Sequence, residues 1–140
     1  MLHKRSSLAF IVAIVIATNL AAARSQAPSQ PAQQVPVMDG GAGPCSLLLT
    51  VRAPDTKPVL GANVKVHIAY GFAGIRKLDL EAYTNADGKL KFTGLPSKVK
   101  DPPLQFQATK DQLSGVATYN PATECEAEHD LPLAAQKGAL

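Results

Sequence analysis

Few side chains outside the first residues of this 140-residue chain could do chemistry: His67, His129, Cys45, Cys125 and scattered serines and carboxylates. His129 lies in Glu124-Cys125-Glu126-Ala127-Glu128-His129-Asp130, a run rich in metal-ligating types. In an extended strand, however, successive side chains point to opposite faces, so the neighbours of His129 turn away from it. It reads as a partly buried strand histidine beside a solvated acidic face. His67, on the same side as Lys65, reads as a surface residue. A hydrolase would need a nucleophile, a base and an orienting acid that converge. Ser46, Ser97 and Ser114 stand in no nucleophile-elbow motif. Asn85-Ala86-Asp87-Gly88 begins like a calcium loop but lacks the acidic ligand needed later in it, and reads as a turn. The expectation is no catalytic residue, no metal, no cofactor, and a chain that is not an enzyme.

The elements that carry these residues repeat with a period of two, the signature of strands. Cys45, Leu47, Leu49 and Val51 share one face. Val64, Val66, Ile68 and Tyr70 oppose Asn63, Lys65 and His67. Leu78, Leu80 and Ala82 oppose Lys77, Asp79, Glu81 and Tyr83. Leu90 with Phe92, then Leu104, Phe106 and Ala108, and a weaker run from Val116 to Tyr119 follow. In the last run Cys125, Ala127, His129 and Leu131 oppose Glu124, Glu126, Glu128 and Asp130. Seven short strands between turn residues predict an all-β, seven-stranded Greek-key sandwich of transthyretin or immunoglobulin type. Pro54 to Pro58, Gly61, Gly94-Leu95-Pro96, Pro102-Pro103 and Asn120-Pro121 punctuate it, and Asn85 to Gly88 reads as a hairpin turn.

The flanks predict where the sandwich works. His3-Lys4-Arg5, the apolar run Leu8 to Ala17 and the small residues Ala21-Ala22-Ala23 have the order of a secretory signal peptide. The run is shorter than the roughly 20 apolar residues of a bilayer span, so no stable membrane span is expected after cleavage. Cleavage after Ala23 fits best, with Ala27 as the alternative. Residues 24–44 read as a disordered linker rich in Pro, Gln and Gly, 45–133 as the sandwich, and 134–140 as a disordered tail. The chain is thus expected to be secreted or periplasmic. The 14 Lys and Arg outnumber the 11 Asp and Glu mainly through residues that leave with the signal. A near-neutral mature chain without Trp argues against nucleic acid as a partner.

Lys57-Pro58-Val59-Leu60-Gly61-Ala62-Asn63-Val64 and Thr84-Asn85-Ala86-Asp87-Gly88-Lys89-Leu90-Lys91-Phe92-Thr93-Gly94-Leu95-Pro96 resemble the carboxypeptidase regulatory-like domain, of the transthyretin-like and Cna-B-like sandwich group. The resemblance covers Cys45 to about Leu133 and rests on turn glycines and inward apolar residues, so it implies a fold more than an activity. Members of that family serve as accessory domains beside peptidases, before outer-membrane receptors and in surface stalks. The same broad fold hosts an intradiol dioxygenase with paired Tyr and His iron ligands and a hydrolase with a Tyr-Arg-Gly-Ser terminus. This sequence shows neither set. The Lys-to-Asn isopeptide bond of Cna-B stalks also lacks its residues in the first and last strands.

Two expectations remain. Cys45 and Cys125 are expected to pair in one intramolecular disulfide, because export delivers two cysteines to an oxidising compartment, and their strand starts coincide if the first and last strands lie side by side and parallel; two free thiols or an intermolecular bond is the rival. Both cysteines are expected on the inward face. The candidate binding surface is Phe72, Tyr83, Glu124, Glu126, Glu128 and Asp130. The expected function is an exported non-enzymatic module that binds an unknown protein or polysaccharide, or has a structural envelope role. A carbohydrate-binding domain, with Phe72, Tyr83 and Tyr119 in a row, is the alternative, and a small enzyme the third reading.

Overall fold

A computed structural model describes residues 34–136. The expected signal peptide (1–23), the first part of the linker (24–33) and the last residues of the tail (137–140) lie outside them. Nine strands follow in order: β1 (Val37–Asp39), β2 (Cys45–Arg52), β3 (Asn63–Tyr70), β4 (Arg76–Tyr83), β5 (Lys89–Leu95), β6 (Leu104–Lys110), β7 (Leu113–Tyr119), β8 (Glu126–Pro132) and β9 (Ala134–Ala135). A single 3-10 turn, Phe72–Gly74, joins β3 to β4. The strands form a four-stranded sheet in the order β1-β5-β2-β8 and a five-stranded sheet in the order β4-β3-β6-β7-β9. The seven long strands are the seven expected from the alternation, and the all-β sandwich is observed.

Alternation decides the layers. Leu47, Leu49 and Val51 of β2, with Leu90 and Phe92 of β5, meet Val64, Val66 and Ile68 of β3 and Phe106 of β6 in one buried core. Phe92 and Phe106 bring their rings to 5.0 Å across the two sheets, and Phe106 continues to Tyr119 at 6.2 Å. Tilted and edge-on ring pairs of this kind add to the area they bury.

The first and last long strands are neighbours. β2 and β8 run parallel from Ser46 opposite Glu126 to Arg52 opposite Pro132. Their starts therefore coincide, and Cys45 and Cys125 are bonded with Cα atoms 4.6 Å apart. One detail is corrected. Cys45 is buried, but Cys125 precedes β8 and is exposed, because the chain has not yet entered the ladder when it reaches the bond.

Three further expectations are corrected. Part of the supposed linker is a strand: β1 pairs in parallel with β5, and the amides of Gly40, Ala42 and Gly43 bond to Thr93 and Gly94 carbonyls. The open edge of β5 supplies backbone partners that composition does not reveal. The tail likewise begins with β9, paired with β7. Finally, Asn85 to Gly88 is not a hairpin turn, since β4 and β5 belong to different sheets. Thr84 braces the crossing. Its buried hydroxyl accepts from the Ala62 amide at 2.9 Å and donates to the Val59 carbonyl, tying the end of β4 to the segment before β3. Asn85 Oδ1 then accepts from the amides of Asp87 and Lys89, which closes the turn.

Gly88 has φ 69° there, and a Cβ on it would collide with the Val51 carbonyl oxygen. Both the left-handed conformation and the backbone contact oppose a side chain. Gly88→Val should therefore cost about 2 kcal/mol or more in denaturant unfolding, above the strain of conformation alone. In the folded protein no thiol should be alkylated. Cys45→Ala/Cys125→Ala should lose stability by up to roughly 4–5 kcal/mol, the chain-entropy value for a loop of this length.

Candidate functional site

The residues singled out by type do not converge. Glu126, Glu128 and Asp130 project outward from β8, with Asp130 paired to Arg52 at 3.5 Å. Glu124 folds back from before β8 to reach His129 Nε2 at 2.9 Å. Phe72 caps the β3–β4 turn, while Tyr83 ends β4 at the opposite end of that sheet. Tyr119 is only 1% exposed and sits in the core, so Phe72, Tyr83 and Tyr119 form no aromatic row.

The site that the fold does build lies on the outer face of the five-stranded sheet. β3 and β6 are laddered from Asn63 opposite Thr109 to Lys65 opposite Gln107, and there the ladder stops. The next hydrogen-bonding pair in that register would be His67 opposite Gln105. Direction follows from Ala69, two residues beyond His67, whose carbonyl accepts from the Lys100 amide at 2.8 Å. Alternate residues of a strand turn their backbone groups to the same edge, so those of His67 face the opening. The strands rejoin only through the bridge of Tyr70 to Val99. Pro102 and Pro103 have no N–H and cannot extend the ladder before β6. The result is a slot in the sheet.

A groove of about 580 Å³ occupies this slot. Lys65, His67, Asp79, Glu81, Asp101, Gln105 and Gln107 supply its polar wall, and Val66, Leu80, Pro103 and Leu104 its apolar part. His67 Nδ1 meets Asp79 Oδ1 at 2.5 Å, directly across the β3–β4 ladder. The carboxylate fixes the ring and leaves Nε2 as the nitrogen available to a ligand. Lys65 lies 3.9 Å from Glu81, and Asn63 Nδ2 also donates to Glu81. Asp101 makes no ion pair or hydrogen bond among the described residues. Three carboxylates therefore face one ammonium, and the groove favours positive charge. His67 is at the surface as its alternation implies, but its pairing with Asp79 was not read from the sequence because the partner lies twelve positions away; the register of the β3–β4 pair, turned at Gly71 to Ile75, was the signal that could have found it.

Beneath the disulfide, Tyr119 donates its hydroxyl proton to the Cys125 carbonyl at 2.7 Å and also lies 3.4 Å from the Ser46 carbonyl. It thus ties β7, in one sheet, to the starts of β2 and β8 in the other. Burial pushes its pKa from 10.0 to about 12, and the nearby Glu124 charge adds to the rise.

No family model matches the chain, and no curated protein matches it. Its fold is similar to solved structures of catechol 1,2-dioxygenases. One, from an Acinetobacter species and inhibited by bound mercury, is 13% identical with a TM-score of 0.50 over 73% of this chain and 59% of that one. Another, from Pseudomonas arvilla, is also 13% identical at a TM-score of 0.50, over 76% and 60%. The chain thus spans about three-fifths of their length. These comparisons correct the functional expectation. The solved chains that share this fold are enzymes, so the sandwich gives no ground for an exported non-enzymatic module for protein or polymer binding, nor for its carbohydrate-binding alternative.

The likeness is one of fold. A paired Tyr and His iron set does not fit the residues present. Tyr119 and His129 are neighbours, with rings 6.3 Å apart, but the tyrosine hydroxyl is committed to backbone carbonyls and the imidazole to Glu124. His67 lies on the outer face of the five-stranded sheet, whereas Tyr119 in the same sheet faces the core. Among the described residues no group of three His, Cys, Asp or Glu side chains could hold a metal ion.

Because the folded state keeps Tyr119 protonated where the unfolded chain ionises, its contribution is full below pH 10 and is lost as pH rises to about 12. Stability should fall over that window in the parent protein. Tyr119→Phe should flatten that fall, at a cost near neutrality of about 1 kcal/mol for the lost hydrogen bond. Urea unfolding at a series of pH values measures both.

Proposed function

We propose that the chain is an exported sandwich of the carboxypeptidase regulatory-like type that binds a small organic cation, an amine or guanidine, in the slot between β3 and β6. The observation that carries the reading is the halted ladder: the sheet opens between His67 and Gln105 where the register would continue it. Backbone carbonyls at the opening, the Asp101 carboxylate and the Gln105 and Gln107 side chains offer acceptors to N–H donors. The excess of carboxylates over Lys65 selects for positive charge, and Leu104 and Pro103 accommodate an apolar body. Export is supported by the basic head and apolar run of the first residues together with the disulfide, which persists in oxidising compartments. The regulatory-like assignment is supported by the Gly61 and Gly88 turns, both with positive φ in the positions the motifs require.

Agmatine, which carries both an amine and a guanidine, is a suitable probe, with glutarate as the anionic control. Amide shifts in the labelled protein should cluster at Val66 to Ile68 and Leu104 to Gln107 with agmatine alone. Asp101→Asn should weaken binding about fivefold, the effect of removing one exposed ion pair worth ~1 kcal/mol. Equal shifts with glutarate, or shifts confined to the acidic face of β8, would rule the reading out.

A further inference from the structure

The turn between β3 and β4 exposes apolar side chains at its tip. Phe72 is 89% exposed and Ile75 73%, the two most exposed large apolar side chains among the described residues. They stand three positions apart on one projection. Among the other exposed apolar residues, Leu60 and Tyr83 lie at the far end of β3 and β4, and Val37 and Val116 lie on β1 and β7. The projection is fixed in shape. Gly71, Ala73 and Gly74 all have positive φ, and the Ile75 amide donates to the Phe72 carbonyl at 3.2 Å.

A basic collar surrounds it. Arg76 and Lys77 follow the turn directly, and the Arg76 side chain lies against Gly71. The segment that closes the slot adds two more charges: Val99 bridges to Tyr70, the Lys100 amide bonds to Ala69, and the Lys100 side chain packs on Gly74. Lys98 and Lys100 are exposed beside the tip. Across Gly71 to Lys77 and Ser97 to Asp101, four cations face one carboxylate, Asp101.

An apolar point ringed by Lys and Arg complements an anionic bilayer: the point enters the acyl boundary while the ring meets the headgroups. A protein groove would suit Phe72 and Ile75 as well, but it would not call for four cations in the segments that adjoin them. We propose that the β3–β4 turn inserts Phe72 and Ile75 into the surface of an anionic membrane. This docking is independent of the slot, whose lining includes neither residue.

The chain has no Trp, so Phe72→Trp places a single reporter at the tip. A local readout is needed because the apolar run Leu8 to Ala17 could itself hold the full chain to lipid. With vesicles of phosphatidylcholine and phosphatidylglycerol at 3:1, the emission of the full-chain variant should shift to the blue and be quenched by lipids brominated near the headgroup. Pure phosphatidylcholine should give at least about tenfold weaker apparent binding, and Lys98→Glu/Lys100→Glu in the same background a similar loss. The three substituted positions are exposed, so the melting transition should be unchanged. An unshifted spectrum in the anionic vesicles would overturn the proposal. So would a shift that survives the charge reversals, or one produced by a soluble protein fraction and not by lipid.

Discussion

The parallel pairing of β2 with β8 is the contact on which the sandwich depends, because it joins the two ends of the domain. Strands this far apart in sequence meet only after a large loss of chain entropy, and the Cys45–Cys125 bond removes much of that loss in advance. With the bond made, β2 becomes an interior strand between β5 and β8, and its buried Leu47, Leu49 and Val51 anchor the core. Tyr119 extends the same knot across the sandwich, its hydroxyl held by the backbone next to the bonded cysteines.

At the other sheet the chain gives up pairing that it could have kept. β3 and β6 part beyond Lys65 and Gln107, although both strands continue and their side chains keep alternating. Unpaired strand edges in water are solvated and therefore cheap; the same opening in the core would be costly. The opening falls on the outer face, and so do His67, Asp79, Glu81, Gln105 and Gln107, the polar half of each alternating strand. A binding site here needs no exception to the rules of the fold. It uses the face that the core left free.

The solved chains named above are dioxygenases of similar fold, but the likeness is one of backbone alone. Function resides in what is placed on a fold rather than in the fold. In this chain the Tyr and His that come together, Tyr119 and His129, are each already committed, one to backbone carbonyls and one to Glu124. The groups left facing solvent in a concave place are carboxylates, amides and a histidine oriented by Asp79.

Side-chain alternation and turn residues determined that the protein is a sandwich, where its seven long strands run and which residues fill its core, while export and the count of two cysteines made their bond the simplest expectation. That information is local, because a period of two reports which side of a strand is buried. Which edges meet is not local. The ordering of residues 37–39 against β5, the crossing between sheets after Thr84, and the exposure of Cys125 each depend on partners elsewhere in the chain. The His67–Asp79 pair and the halted ladder at Gln105 belong to the same class. Only the tertiary structure decided them, because a backbone hydrogen bond is specified by register and by what neighbouring segments leave unpaired, and neither quantity is written in the type of any single residue.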